Sequence, residues 1–443
     1  MLNESDNDII CRSGPGTPGG KLMRHYWIPV ALSSELPGPD CDPLRVRLLG
    51  EDLVAFRDSQ GKPGLLDALC PHRRAPLFFG RNEQGGLRCA YHGWKFDTAG
   101  RCLDLPNEPD DSPQKQRIRQ LSYPLVERAH IIWAYMGEDK TPPPLPGFPF
   151  VDLPDDQISV VKIYQDQNWL QGLEGVIDPS HVPFLHSAAS ADTAADAVSA
   201  LKTERIAEYY WSTKGWSYDV SVSDGRMLLA AWRTAGETQD YWRMNVFLLP
   251  FYAMGPVRSG ADPVANVNAR IPIDDEHHFI YSITWHPSRA LTEDEKEFGR
   301  EVYGLNLGFE KGDPQRPGSQ WMLKANRSND YMIDRQDQRT RTFTGIAVVI
   351  AQDNAMTEGM GAIVDRTKEH LVRADLGIST TRRVFLRAAK ALRDQGTRPA
   401  GVDEGSEYKV RAPSKLMPKG VSNWVEELSE FYTCKPGFNP PQP

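Results

Sequence analysis

Residues 70–94 read CPHRRAPLFFGRNEQGGLRCAYHGW, and this stretch decides what the N-terminal part of the chain must build. It holds two knuckles, Cys70-Pro71-His72 and Cys89-Ala90-Tyr91-His92, separated by sixteen residues. Each knuckle offers one thiolate and one imidazole and lies among Pro or Gly residues that favour tight turns. Two Cys and two His can hold a tetrahedral zinc ion, but zinc knuckles usually pair Cys with Cys. Mixed knuckles suit a [2Fe–2S] cluster in which two thiolates take one iron and two neutral imidazoles take the other. Exchanging two thiolates for imidazoles removes negative charge and raises the reduction potential above that of an all-thiolate cluster. Around these loops the sequence reads as short strands. Val46 and Leu48 alternate with Arg45 and Arg47, Gly50-Glu51-Asp52 turns the chain into a run from Leu53 to Phe56, and Ile131 to Tyr135 is a buried-strand run.

Outward from that lobe, 443 residues suggest two domains or more. Thr141 to Pro149 reads TPPPLPGFP, and consecutive prolines continue neither strand nor helix. The expected organisation is an N-terminal segment 1–24, a small all-β domain 25–140, a Pro-rich linker 141–150 and a second domain 151–443. In that second part Ile158 to Tyr164, Trp242 to Tyr252 and Phe279 to Trp285 read as strands, and Asn168 to Ile177 as a helix. Thr380 to Gln395 places Val384, Phe385, Ala388, Ala389 and Leu392 on one helical face, with Gly396 as its stop. The fold class is therefore α+β, an antiparallel sheet flanked by helices. The 51 basic and 59 acidic residues leave a net charge of −8, which speaks against a nucleic-acid partner. The start MLNESDND shows no secretory pattern, and apolar runs such as Ile346 to Ala351 are too short for a bilayer, so no membrane and a cytoplasmic location are expected. Six cysteines in so large a chain do not make a disulfide framework, and Cys102, without a ligand-spaced partner, reads as packing. GPGTPGG at 14–20 is Gly-rich but follows no strand, so no dinucleotide site is expected.

A second site is suggested by residues 168–186, NWLQGLEGVIDPSHVPFLH. Glu174, Asp178 and His181 fall at i, i+4 and i+7, one face of a helix, and Pro183 is expected to bend the chain so that His181 and His186 aim at one point. Two histidines and a carboxylate form a facial triad that leaves positions on Fe(II) open for dioxygen. Taken alone, D-x-x-H-x-x-x-x-H is a weak signal, since helices often carry His beside Asp for packing reasons.

The two motifs in this order, with Tyr91-His92-Gly93-Trp94 in the first, resemble the catalytic (α) subunit of a Rieske non-heme iron aromatic-ring-hydroxylating oxygenase. GPGTPGGKLMRHYWIP near the start and QDNAMTEGMGAIVDRTKEHLVRADLGISTTRR at 352–383 resemble the phthalate dioxygenase-like subgroup. Arg74 departs from the pattern, since many relatives have Gly there. The resemblance implies a Rieske [2Fe–2S] domain and a catalytic domain of helix-grip (START-like) type. It implies that Cys70, His72, Cys89 and His92 hold the cluster and that His181 and His186 hold the mononuclear iron. The third iron ligand is a distant carboxylate; Asp353 fits best, with Glu358 and Asp365 as rivals. Asp178 would not be a ligand but an electron bridge between the iron site and His92 of a neighbouring subunit. The family uses dioxygen and electrons from a separate NAD(P)H-dependent reductase of FMN and [2Fe–2S] type, with a ferredoxin as a further donor in some systems. The subgroup assembles as homotrimers or stacked-trimer hexamers.

The substrate is expected to be an aromatic carboxylate of phthalate type, cis-dihydroxylated. Arg243 and Arg226, and less so Arg233, are candidate anchors, because a guanidinium matches a carboxylate. Monooxygenation, O-demethylation or aryl-ether cleavage on an aromatic acid are the close alternatives. An electron carrier without mononuclear iron and a zinc-stabilised binding protein are the rivals from other classes.

Overall fold

The computed structural model describes residues 2–187, 215–256 and 264–434. Strand Leu44–Leu48 buries Val46 and Leu48 and pairs antiparallel with Glu51–Arg57. The turn lies at Leu49 and Gly50 (φ 47° and 79°), one step before the expected Gly50-Glu51-Asp52. A two-residue hairpin loop of type I′ has positive φ at both positions, and Leu49 is held there by burial and by a backbone hydrogen bond to Pro272. Pro63–Asp67 and Ser122–Tyr123 complete this sheet. A second four-stranded sheet, Arg81–Glu83, Gly86–Arg88, Lys95–Phe96 and Cys102–Asp104, carries the Cys89 loop between its second and third strands. Val54, Phe56, Leu66, Leu77, Leu87 and Phe96 form a core for this lobe, and Cys102 packs into it. All six cysteines are free.

The third sheet, Trp27–Leu32, Ile131–Tyr135 and Leu125–Arg128, belongs to the main core of the molecule together with the later strands. Phe148 and Phe150 enter the same core, so the Pro-rich segment is packed down along its length rather than a loose tether. Three further clamps join the cluster-bearing lobe to the rest. The N–H groups of Leu49 and Gly50 donate to the carbonyls of Pro272 and Ile273 (3.1 and 2.8 Å). Arg47 reaches Asp274 at 3.2 Å, and Lys162 and Glu35 form a buried ion pair at 2.7 Å.

The remainder is an eight-stranded antiparallel sheet. Its order is Ile158–Gln165, His278–Trp285, Ala265–Pro272, Tyr252–Met254, Gln239–Leu248, Arg226–Ala235 and Ser217–Val222, with Ser414–Pro418 added beside Gln239–Leu248. Helix Trp169–Ile177 and the long helix Leu376–Gln395 pack on it. The latter buries Val384, Phe385 and Ala389 and stops at Gly396 (φ 68°) as its periodicity requires. Among the described residues no helix is long and apolar enough to cross a membrane.

Glu174 turns away from the histidines into a charged cluster. It accepts from Arg366 Nη2 (2.9 Å) and Arg382 Nε (2.6 Å), Arg382 pairs with Glu369 (3.0 Å), and Arg366 Nη1 reaches Cys11 Sγ (3.1 Å). Burial opposes ionisation of Glu174, but the two guanidinium groups win and hold its carboxyl below the usual range. Arg366 is 0% exposed, so Glu174→Leu strands a buried cation. The expected loss is about 3–5 kcal/mol, read by denaturant unfolding; a loss below ~1 kcal/mol would show that the cluster is not structural.

Candidate metal centres

The two cysteine–histidine loops are built alike. In the first, Arg74 N–H donates to Cys70 O and Cys70 N–H to Ala75 O (2.9 and 2.8 Å). In the second, Gly93 N–H donates to Cys89 O and Cys89 N–H to Trp94 O (3.0 and 2.8 Å). The fifth residue of each loop is left-handed, Arg74 at φ 56° and Gly93 at φ 78°. This accounts for the departure at Arg74: the position favours glycine, and a side chain there costs about 1–2 kcal/mol. Arg74 sits there with its guanidinium 3.4 Å from Asp67. The loops bring the His72 and His92 rings to 4.5 Å between centroids, and His72 stacks flat on Trp94 at 4.2 Å. Burial, with a contribution from the adjacent Cys89, pushes the Cys70 thiol up to about 11. Nδ1 of His72 is buried with no hydrogen-bond partner. Two thiols side by side, two neighbouring imidazoles and an orphaned ring nitrogen fit a mixed-ligand [2Fe–2S] cluster.

At the second site the histidines converge for a reason other than the expected one. Helix Trp169–Ile177 ends before Asp178, which is extended (φ −84°, ψ 109°) because Pro179 follows it. A separate short helix, Val182–Leu185, then begins with Pro183 in its first turn, where proline is tolerated. The bend is therefore at Asp178-Pro179, not at Pro183, and Glu174, Asp178 and His181 do not share a helical face. Helix Val349–Thr357 brings Asp353 opposite. Asp353 Oδ1 lies 3.5 Å from His181 Nε2 and 3.3 Å from His186 Nε2. Donors on bonds of roughly 2.1 Å at right angles stand about 3 Å apart, so the two distances to Asp353 fit one shared metal ion. All three donor atoms lie within 4.8 Å of one another.

The far side of each ring is also occupied. Asp178 Oδ2 stands 3.4 Å from His181 Nδ1, while its Oδ1 accepts from Ser180 N and Oγ (2.7 and 2.6 Å). His186 Nδ1 donates to Gln352 Oε1 at 2.7 Å, and Gln352 Nε2 donates to Ile346 O at 2.7 Å. Both rings thus present Nε2 to Asp353. Burial opposes the charged forms here, but the opposed charges prevail, raising His186 and lowering Asp353 and Asp178. Gln352 was not singled out from sequence; its adjacency to Asp353 was the available signal.

The two rival carboxylates lie elsewhere. Glu358 accepts from Tyr331 Oη (2.6 Å) and Asp166 N (3.1 Å). Asp365 caps the turn Arg366–Lys368. Of the sequence-nominated anchors, Arg243 is 3% exposed and lines a cavity of about 360 Å³ that opens on His181, His186 and Asp353. Arg226 is outside that lining, 3.4 Å from Glu407, and Arg233 lies over the Trp216 ring. The lining also takes in Asn266, Asn268 and Arg270 and the helix Glu293–Val302. Arg270, missed in the sequence, is 4% exposed.

Residues 26–122 match the Rieske [2Fe-2S] domain family, and residues 134–432 match the LigXa C-terminal domain-like family. The chain is 40% identical over 429 residues to the 3-chlorobenzoate-3,4-dioxygenase oxygenase subunit of Comamonas testosteroni, covering 95% of this chain and 96% of that one. It is 36% identical to the phthalate 4,5-dioxygenase oxygenase subunit of Pseudomonas putida, covering 88% and 87%. Its fold superposes on the oxygenase in an oxygenase–ferredoxin complex of carbazole 1,9a-dioxygenase with a TM-score of 0.56 at 20% identity, over 89% of this chain and 97% of that one. With both halves matched in order, the chain belongs to the Rieske non-heme iron oxygenases and is an oxygenase subunit that carries a Rieske cluster and a mononuclear iron.

Proposed function

We propose that this subunit hydroxylates an aromatic carboxylate, with cis-dihydroxylation as the reaction. One observation carries the reading: a cavity of about 360 Å³ that opens on the His181–His186–Asp353 set has buried arginine among its lining. The substrates named for the chlorobenzoate and phthalate relatives are of the same class.

In this reading Cys70, His72, Cys89 and His92 hold the cluster, and His181, His186 and Asp353 hold the iron. When bound, the cluster supplies electrons one at a time and the iron supplies dioxygen activation. The protein's own groups do the positioning. Asp178 and Gln352 each face the Nδ1 of one histidine, which fixes the ring and leaves Nε2 for metal. Val182, Phe298 and Val302 line the cavity with apolar surface that excludes water from the ring to be oxidised.

The electrons come from a separate NAD(P)H-dependent reductase of FMN and [2Fe–2S] type. The oligomer is a trimer or a stack of two trimers, in which His92 of one copy meets Asp178 of the next. Exposed apolar side chains flank both ends of that contact. Phe79 and Tyr91 stand by the cluster loops, while Phe184 and Phe343, in ring contact at 6.1 Å, and Met356 stand by the iron site.

The test of the reading is a pooled aromatic-acid screen with a surrogate reductase, recording oxygen uptake and products; oxidation of neutral arenes alone would refute it. Gln352 supplies a narrower test. Gln352→Met removes the acceptor for His186 Nδ1–H while Gln352→Glu keeps one. The Met variant should bind mononuclear iron about 10–100-fold more weakly with its visible cluster spectrum unchanged, and the Glu variant should retain it. Equal iron affinity in all three proteins would rule out the orienting role.

A further inference from the structure

The sheet puts a second buried cation on the cavity wall. Arg270, on strand Ala265–Pro272, is 4% exposed and lines the same cavity as Asp353. Strand register aligns Phe247, Ala253 and Asn268 across three neighbouring strands. From that row Arg243 lies four residues in one direction and Arg270 two residues in the other, so their backbones are roughly 20 Å apart along the strands. The two arginines therefore serve different ends of the cavity.

The surroundings of Arg270 hold it in place without an ion pair: Asp353, a carboxylate whose charge it feels, acts from beyond ion-pair distance. Nη1 donates to Gln165 Oε1 at 2.7 Å. His278 Nε2 stands 3.5 Å from the same nitrogen. His278 Nδ1 is 2.9 Å from the carbonyl oxygen of Gln167, which can only accept, so the proton sits on Nδ1 and the bare Nε2 faces the guanidinium. Burial, then the nearby Arg270 charge, pushes His278 down to about 3, so this neighbour is neutral. Nε of Arg270 is buried with no hydrogen-bond partner. Among the described residues no carboxylate lies within ion-pair distance of Arg270. A methyl group added at Gly172 would come within 2.9 Å of both Nη1 and His278 Nε2, so helix Trp169–Ile177 makes room for the guanidinium by having no side chain there.

A guanidinium stays charged in proteins, and a buried charge without a counter-ion is costly. Here burial pulls Arg270 down to about 10, still well above neutral pH. Arg270 lines the cavity, so an anion held there can reach it. Resting on the aromatic-acid reading above, we infer that Arg270 forms the subsite that receives the substrate's carboxylate, at the Asp353 end of the cavity. The hydrogen-bonded pair Tyr303–Asn268 (2.6 Å) lines the wall beside it, while Val302 and Ile350 are apolar surface for the ring.

The test uses the holoenzyme with 3-chlorobenzoate and its uncharged amide as probes, measuring binding by calorimetry and iron content alongside. Wild type should bind the acid more tightly than the amide. Arg270→Gln should weaken the acid by about 100-fold, leave the amide within about three-fold, and keep the iron. Arg270→Lys should fold with its charge intact and raise KM for the acid about ten-fold with kcat little changed. The inference is overturned if Arg270→Gln or Arg270→Lys handles the acid as wild type does, or if acid and amide lose affinity equally. If wild type binds benzoates and the Arg270 variants bind them as well, the subsite is wrong and the aromatic-acid reading stands. If wild type binds no aromatic acid and oxidises a neutral arene, both fall.

Discussion

His181→Ala leaves a protein that keeps the visible absorption of the cluster, loses its mononuclear iron and no longer oxidises substrate. The cluster loops pack on a core of their own that does not include the turn carrying His181. Glu358 and Asp365 are engaged elsewhere and do not stand in for a lost histidine. Disturbing a residue behind a metal ligand already costs about 10–100-fold, so removing a ligand should exceed the upper end of that range in turnover. Iron and sulfide analysis decide the matter. Iron in excess of the sulfide-bound pair, at the parent level, would sink the assignment of His181.

Asp178→Asn is expected to be nearly as damaging by a different route. The substitution keeps shape and leaves an amide oxygen for Ser180 N–H and Oγ–H. What it removes is the charge facing His181 Nδ1, and with it the carboxylate that would meet His92 of a neighbouring copy. Both metals should load fully and the reductase should still reduce the cluster. Steady-state oxidation should fall by about 100-fold. Stopped-flow traces then separate the causes: the pre-reduced variant should leave its cluster reduced when given substrate and oxygen. Re-oxidation at the parent rate would show that electrons pass by another path.

The two loops nominated for the cluster were legible because the four candidate donors lie within 23 residues, from Cys70 to His92, and the turn chemistry is local. Strands such as Ile131–Tyr135 and the stop at Gly396 were legible for the same reason. Misreadings arose where a neighbour overrode a periodicity. Pro179 ended the helix that the i, i+4, i+7 pattern extended through Asp178, and this turned Glu174 toward Arg366 and Arg382. Arg270 was invisible because a lone arginine in the strand run ANVNARIP carries no local signal. Its significance comes from register, from Gly172 on a helix far away in sequence, and from having no carboxylate within ion-pair distance among the described residues.

The clamps between the lobes bear on how electrons must arrive. Leu49 and Gly50 are hydrogen-bonded to Pro272 and Ile273, Arg47 reaches Asp274, and Lys162 and Glu35 are paired in the interior. A lobe fastened at so many points is a fixed terminal rather than a shuttle. It does not swing out to collect an electron and back to deliver it, so its donor has to travel to it and leave again. Ionic strength, which weakens encounters between charged proteins, should therefore govern the feeding of the cluster more than its discharge.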